Sequence, residues 1–280
     1  MASMADDQDV YTHGHQDAVL RSHRSRTVAN SAAYLVPHLR PGADLLDVGC
    51  GPGTLTVDLA RHVSPGRVVG VDTSAEVVAQ AQAYATEVAE DAQAGGRPGP
   101  AVEFRAGDFR TLGDEPNRYD VVHAHQVLQH LKDPVGALRA MAALARPGGV
   151  VAARDADYSA MVWAPDDAGL DRWREVYLAV TRRNGADADA GRHLPAWARE
   201  AGLDAAYTTS TWTFATPAER RWWAGLWAER TTGSTLASQA VAYGIATDAE
   251  LAEVAAAWRA WAEQPDAVFV TVHGELVATA

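Results

Sequence analysis

The stretch Leu45-Leu46-Asp47-Val48-Gly49-Cys50-Gly51-Pro52-Gly53-Thr54 carries the densest chemical signal in the chain. Gly49 and Gly51 permit a tight strand-to-helix turn and let a ligand approach the backbone without a Cβ clash. The helix start behind them offers free N–H groups. A dinucleotide fingerprint, G-x-G-x-x-G, would place a pyrophosphate there. Here the glycines fall as G-x-G-x-G, with Thr54 at the last fingerprint position. Asp47, beside the turn, opposes an anionic pyrophosphate and suits a cationic ligand. Two further acids follow short apolar runs: Asp72 after Val68-Val69-Gly70-Val71, and Asp108 in Gly107-Asp108-Phe109. Either one alone reads equally well as a helix cap. Two at successive strand ends, behind a glycine turn, point to a ligand.

A second titratable set comprises His123, His125, Asp155, Asp157 and Tyr158, with His13, His15 and His130 as further candidates. If His123 and His125 lie in a strand, its period of two puts both on one face and Ala124 on the other.

The elements that position these residues follow from pattern. Apolar residues at helical intervals predict a helix from His15 to Leu39. Strands are expected at 43–48, 67–72, 102–106, 119–124 and 150–154, with helices between them. Thr73-Ser74-Ala75-Glu76 predicts a capping box for a helix running to about Glu90, and Asp133-Pro134 opens another. This alternation predicts an α/β, Rossmann-like, doubly wound and mostly parallel sheet. In such a sheet ligands bind at the carboxyl ends of the strands. The second half differs, for all nine tryptophans lie beyond residue 160. Helices are expected at 169–184 and 194–201, a strand at 204–214, and Trp-loaded helices behind the boxes Thr216-Pro217-Ala218-Glu219 and Thr247-Asp248-Ala249-Glu250. A last strand, 268–277, is expected at an edge. The division is then a cover helix (1–40), a ligand-binding core (41–155), and remaining strands with a helical lid (156–280).

The 280 residues include 24 basic and 36 acidic side chains, a net charge of −12. That surface repels phosphate backbones, so no nucleic-acid partner is expected. One cysteine, Cys50, makes no internal disulfide. No apolar leader segment or membrane-length apolar run is visible, so a cytoplasmic protein, monomeric or homodimeric, is the expectation.

Residues 45–54, Asp72, Gly107-Asp108-Phe109 and Leu144-Ala145-Arg146-Pro147-Gly148-Gly149 together resemble the motif series of class I S-adenosylmethionine-dependent methyltransferases. Within them the likeness is to the small-molecule branch that includes quinone-biosynthesis methyltransferases, and it covers residues 15–155. The resemblance implies a seven-stranded sheet with its last strand antiparallel, and S-adenosylmethionine as cofactor with S-adenosylhomocysteine as product. It implies that Gly49 and Gly51, with Asp47 beside them, border the methionine part. Asp72 would accept both ribose hydroxyls, Thr73 lie against the adenosine, and Asp108 accept from the adenine amino group between Gly107 and Phe109. Ala124 and His125 would pass beneath the sulfonium, and Tyr11 and Arg26 close over the methionine end.

The reaction so implied is in-line methyl transfer to oxygen, nitrogen or carbon of a small, hydrophobic or aromatic acceptor. His125 is the preferred general base, with Asp155 and Tyr158 as acceptor contacts. Metal-dependent relatives use acidic oxygen ligands at the ends of strands four and five. Here strand four carries imidazoles, so no metal is expected. The tryptophan-rich helices are expected to roof a mostly apolar, aromatic-walled chamber, with Arg220 and Arg221 as contacts for an acidic group. Two other readings remain: an S-adenosylmethionine-binding auxiliary enzyme or sensor that transfers no methyl, and a nicotinamide-dependent oxidoreductase.

Overall fold

The apolar, β-branched runs pair as parallel strands because both of their faces are covered by helices. The computed structural model describes Asp9, Thr12 and residues 17–114 and 118–280. Leu45–Val48 (β1) lies between Val68–Asp72 (β2) and Tyr119–His125 (β4), and Val102–Ala106 (β3) closes one edge. Ala145–Ala164 (β5) pairs parallel with β4 and antiparallel with Val268–Thr279 (β7), which pairs antiparallel with Ala205–Phe214 (β6). The sheet order is β3-β2-β1-β4-β5-β7-β6. This is the expected doubly wound sheet, with one correction: β7 is interior and β6 is the edge. Side chains of β7 are mostly buried, whereas those of β6 are mostly exposed.

Thr54–Val63 (α3), Ala75–Ala94 (α4) and Pro134–Leu144 (α5) are the crossover helices of the first half. The cap of α4 is Ser74, whose hydroxyl accepts from the Val77 amide, and not Thr73 as the capping-box pattern suggested. The helix also runs four residues past its expected end near Glu90. The long N-terminal helix is instead three pieces: Asp17–Arg24 (α1), Val28–Ser31 (α2) and a 3-10 turn over Ala33–His38. Thr27 ends the continuity, since it and Asn30 cap α2 reciprocally. Strand β5 extends ten residues past the expected Arg154 because β7 continues to pair with it after β4 has stopped.

In the second half, Ala168–Arg183 (α6), Ala190–Ala201 (α7), Pro217–Gly233 (α8), Thr235–Ala242 (α9) and Asp248–Ala262 (α10) follow. Both capping boxes, Thr216/Glu219 and Thr247/Glu250, form as read from the sequence. Trp173, Trp227, Trp258 and Trp261 are all under 2% exposed; Trp173, Trp258 and Trp261 pack against Phe269, and Trp227 packs against Trp173. They form a core of their own beneath α6, α8 and α10. Among the described residues, no helix is long and apolar enough to cross a membrane.

Candidate active site

A cavity of about 450 Å³ opens at the carboxyl ends of β1, β2 and β4. Its floor is backbone. Gly49 and Gly51 adopt left-handed conformations, φ +66° and +54°, which side chains rarely enter. A Cβ on Gly49 would fall 2.4 Å from Val127 Cγ2, so that position is closed to any larger residue. The Gly51 amide donates to Asp72 Oδ2 at 3.1 Å, and the Ser74 amide to Asp72 Oδ1 at 3.0 Å. The Gly51 amide is thus already answered by a carboxylate. Each Asp72 oxygen keeps a second lone pair facing the cavity, suited to neighbouring hydroxyl donors.

The apolar side of the cavity comprises Phe109, Val77, Val127 and Leu131. Thr73, Gly107, Asp108, Arg26 and His125, which the resemblance sets at the ligand, also line it. The Asp108 carboxylate accepts from the Arg110 amide and guanidinium at 2.7–3.0 Å. Burial alone would raise its pKa, but those bonds hold it below the usual carboxylate range. Asp9 reaches over the same corner, accepting from Arg110 at 2.8 Å and from the Lys132 amide at 2.8 Å. Arg110, Asp9 and His23 were not singled out in the sequence. The acid–base pair two residues apart in Asp108-Phe109-Arg110 was a signal for the first. Tyr11 lies outside the described residues.

Two predicted contacts lie elsewhere. Ala124 is fully buried in the apolar core on the opposite face of β4 and does not reach the cavity, as alternation along a strand requires. Asp47 is also buried, its oxygens accepting from Thr56 Oγ1 at 2.6 Å and paired with His123 Nδ1 at 2.8 Å. It borders only a crevice of about 10 Å³ with Gly49, Arg26 and His125, beneath the glycine turn.

His125 sits at the head of β4, where both ring nitrogens lack hydrogen-bond partners among the described residues. Burial first, then the charges of Arg26 and Arg154, push its pKa well below the ordinary imidazole value, so it is neutral near pH 7. The next residue, Gln126, has φ +55°, unusual for a side chain of this kind. That conformation aims its amide at His273 Nε2, 3.0 Å away, while Arg26 donates to its oxygen. Sequence offered no sign of it, because backbone strain leaves no residue-type signature here.

Next to the cavity lies a slot of about 30 Å³, sharing His23, Arg26, Gln126 and His130 with it. Tyr158, Trp212, Trp223 and Trp227 wall the slot. Its lining is more polar than the expected apolar chamber, because Arg230, Ser22, Thr271 and His273 also face it. Trp212 is fixed by its indole N–H on the Asn30 carbonyl at 2.6 Å and by the Arg154 guanidinium 5.0 Å from its ring. Tyr158 stacks on Tyr177 at 4.0 Å, so the predicted acceptor contact is rigidly held. Asp155 is fully buried and does not line the slot. Its Oδ1 accepts from the Gln129 amide at 3.1 Å, which pins the turn carrying Gln129 and His130.

His123 is engaged by Asp47, Asp155 by the Gln129 amide, and Asp157 by Arg192 at 2.5–2.6 Å. Arg220, expected as a substrate contact, donates instead to the carbonyls of Ala215, Ala262 and Ala267. Arg221 pairs with Glu263 at 3.6 Å on the surface.

The methyltransferase-domain family matches residues 39–194. An uncharacterized methyltransferase of Schizosaccharomyces pombe is 30% identical over 279 residues, 97% of this chain and 96% of that protein. A ubiquinone biosynthesis O-methyltransferase of Nitrosospira multiformis is 36% identical over 120 residues, covering 42% of this chain and 45% of its own length. The solved structure of the YcgJ protein of Bacillus subtilis superposes with a TM-score of 0.55 at 16% identity, over 88% of this chain and 96% of that one, a likeness of fold.

Proposed function

The chain belongs to the S-adenosylmethionine-dependent methyltransferase family, and from that premise we propose that it methylates a small molecule whose reacting group enters at the junction of cavity and slot. The observation that carries this reading is the contact between the glycine turn and Asp72, which occupies the Gly51 amide and holds a carboxylate at the cavity wall, where a ribose can donate to it. The lining fits such a nucleoside: an acid for hydroxyl donors, apolar side chains for a base, and a side-chain-free floor at Gly49 and Gly51. When bound, S-adenosylmethionine supplies a methyl group already activated on sulfur.

The chain's own residues supply position. Asp72 and Thr73 hold the nucleoside, Phe109 and Leu131 cover its base, and Asp108 with Arg110 bounds that end. Arg26, which lines the cavity, the slot and the crevice, closes the opposite end. The acceptor atom must stand in line with the bond being broken, at about 3 Å, and a rigid wall of Tyr158 and Trp212 serves that alignment. His125 is the base available to an acceptor that arrives protonated. Its neutral form is present at pH 7, although its depressed pKa makes it a weak base, suited to acidic hydroxyls and poorly suited to ammonium groups. On this reading the described residues from 17 to 40 cover the site, 41–155 hold the donor, and 156–280 shape the acceptor side.

A labelled-methyl transfer screen over phenols, amines and keto acids tests the reading. A methylated product with matching S-adenosylhomocysteine release is expected. A His125→Ala variant should then lose turnover by about 10²-fold with little change in donor affinity. Tight donor binding with no methylated product from any acceptor class would overturn methyl transfer in favour of a sensor or auxiliary role.

A further inference from the structure

The base end of the cavity has two walls, built on different connections. Residues 107–110 follow β3 and bring Phe109 to the cavity; residues 127–131 follow β4 and bring Leu131. Each wall is fixed within itself. The Arg110 guanidinium folds back on the Asp108 carboxylate at 2.7–3.0 Å. Thr111 donates its amide and its hydroxyl to the Asp108 carbonyl at 3.0 and 2.7 Å. In the second wall the Leu131 amide donates to the Leu128 carbonyl at 3.1 Å, and the Gln129 amide to Asp155. Asp9 joins the two. Its Oδ2 accepts from Arg110 Nη2 and its Oδ1 from the Lys132 amide, both at 2.8 Å. The Asp9 side chain is 19% exposed, and the residue itself lines the cavity. Both partners are donors, so the bridge needs an acceptor at each end. A carboxylate supplies two such oxygens, whereas a side-chain amide supplies one. On the Arg110 side the bond is also ionic at both ends, which strengthens it.

Resting on the methyltransferase reading above, we propose that Asp9 is a positioning residue for the donor, a staple that ties the Phe109 wall to the Leu131 wall around the donor's base. Widening the gap between these walls breaks one of the two bonds to Asp9, so a base lying between them is retained while the staple is closed. Asp72, held on the Gly51 and Ser74 amides, is fixed independently of this bridge. The staple therefore acts on the release of the donor and leaves the ribose contact alone.

The test is displacement of radiolabelled S-adenosylhomocysteine from the full chain by excess unlabelled ligand, read as a dissociation rate. Asp9→Asn should release the ligand about tenfold or more faster than wild type, and Asp9→Glu, which keeps both oxygens, should recover part of the difference. Arg110→Gln should also release faster, and adding Asp9→Asn to it should change the rate by less than about twofold, because the bridge is already broken. The Asp9–Arg110 pair is partly exposed, so raising salt from about 0.05 M to about 1 M should bring the wild-type rate toward that of Asp9→Asn. The denaturation midpoint of the ligand-free Asp9→Asn chain should match wild type, since a pair this exposed contributes little to folding. Release from Asp9→Asn within about twofold of wild type overturns the staple. So does faster release accompanied by a lower ligand-free midpoint, which would make Asp9 a residue of the fold alone. Failure of the wild-type chain to bind S-adenosylhomocysteine overturns the methyltransferase reading instead.

Discussion

The cavity proposed for the donor and the slot proposed for the acceptor share four residues yet are built on opposite principles. The cavity has a backbone floor: a glycine turn at 49–51, with acids at the tips of β2 and β3, all between residues 49 and 108. The slot is a side-chain construction, assembled from α1, the turn after β4, β7 and α8, and tied across 208 positions by Arg230 and Ser22. A turn that needs glycine tolerates almost no substitution, so it is suited to a constant ligand. A wall made of side chains from distant helices is free to vary, so it is suited to whatever acceptor a given chain serves. The tryptophans sharpen this contrast. Six of the nine do not line the slot, and three of these, Trp173, Trp258 and Trp261, are buried in the core behind its wall.

That division is most severely tested in the tryptophan core. Trp258 is fully buried, 5.0 Å from Trp173 and 5.3 Å from Phe269. Trp258→Ala should destabilise the fold by about 3–5 kcal/mol through lost burial and a residual cavity, read by chemical denaturation. Donor affinity of the folded protein should remain nearly unchanged. A loss below about 1 kcal/mol would mean that this region is a plastic binding wall and not a core.

The next effect separates structural from catalytic acids. Burial raises the Asp155 pKa from 3.8 to about 7 in the folded chain, so folding takes up a proton between those values. Its stabilising contribution is complete below about pH 4 and is lost as pH rises through about 7. His130, lowered to about 3, acts in the opposite sense between about pH 3 and 6.5 and masks the effect in the wild type. Asp155→Asn removes one side of this balance. Relative to wild type, the variant should therefore gain up to about 4 kcal/mol in unfolding free energy between pH 4 and pH 8. A difference that is flat with pH would show that Asp155 is ionised throughout, and so available as a direct acceptor contact.

The same contrast explains what could be read from the chain. The donor half was legible because strand, turn and acid are neighbours in sequence: Asp72, Asp108 and the glycine turn all reach the cavity. Ala124 was misplaced because its side chain alternates away from that of His125 into the apolar core. Asp47 was assigned to the ligand because its partners, Thr56 and His123, are separated from it by 9 and 76 positions. The slot was hardly legible. Arg230 reads as one more helix cation, His273 as one residue of an alternating strand, and the φ of Gln126 has no residue-type signal. The N-terminal helix broke at Thr27, where a local capping box outweighed helical periodicity.

The central claim is that Asp72 reads the ribose of an adenosyl-sulfur ligand. Calorimetry of S-adenosylhomocysteine and its 2′-deoxy analogue on wild type and Asp72→Ala tests it as a double-mutant cycle. Removing either the carboxylate or the hydroxyl should weaken binding by about 1–3 kcal/mol, and removing both should add little more. Equal affinity of the wild type for the two nucleosides, or tighter binding of NAD(H) than of either, would contradict it.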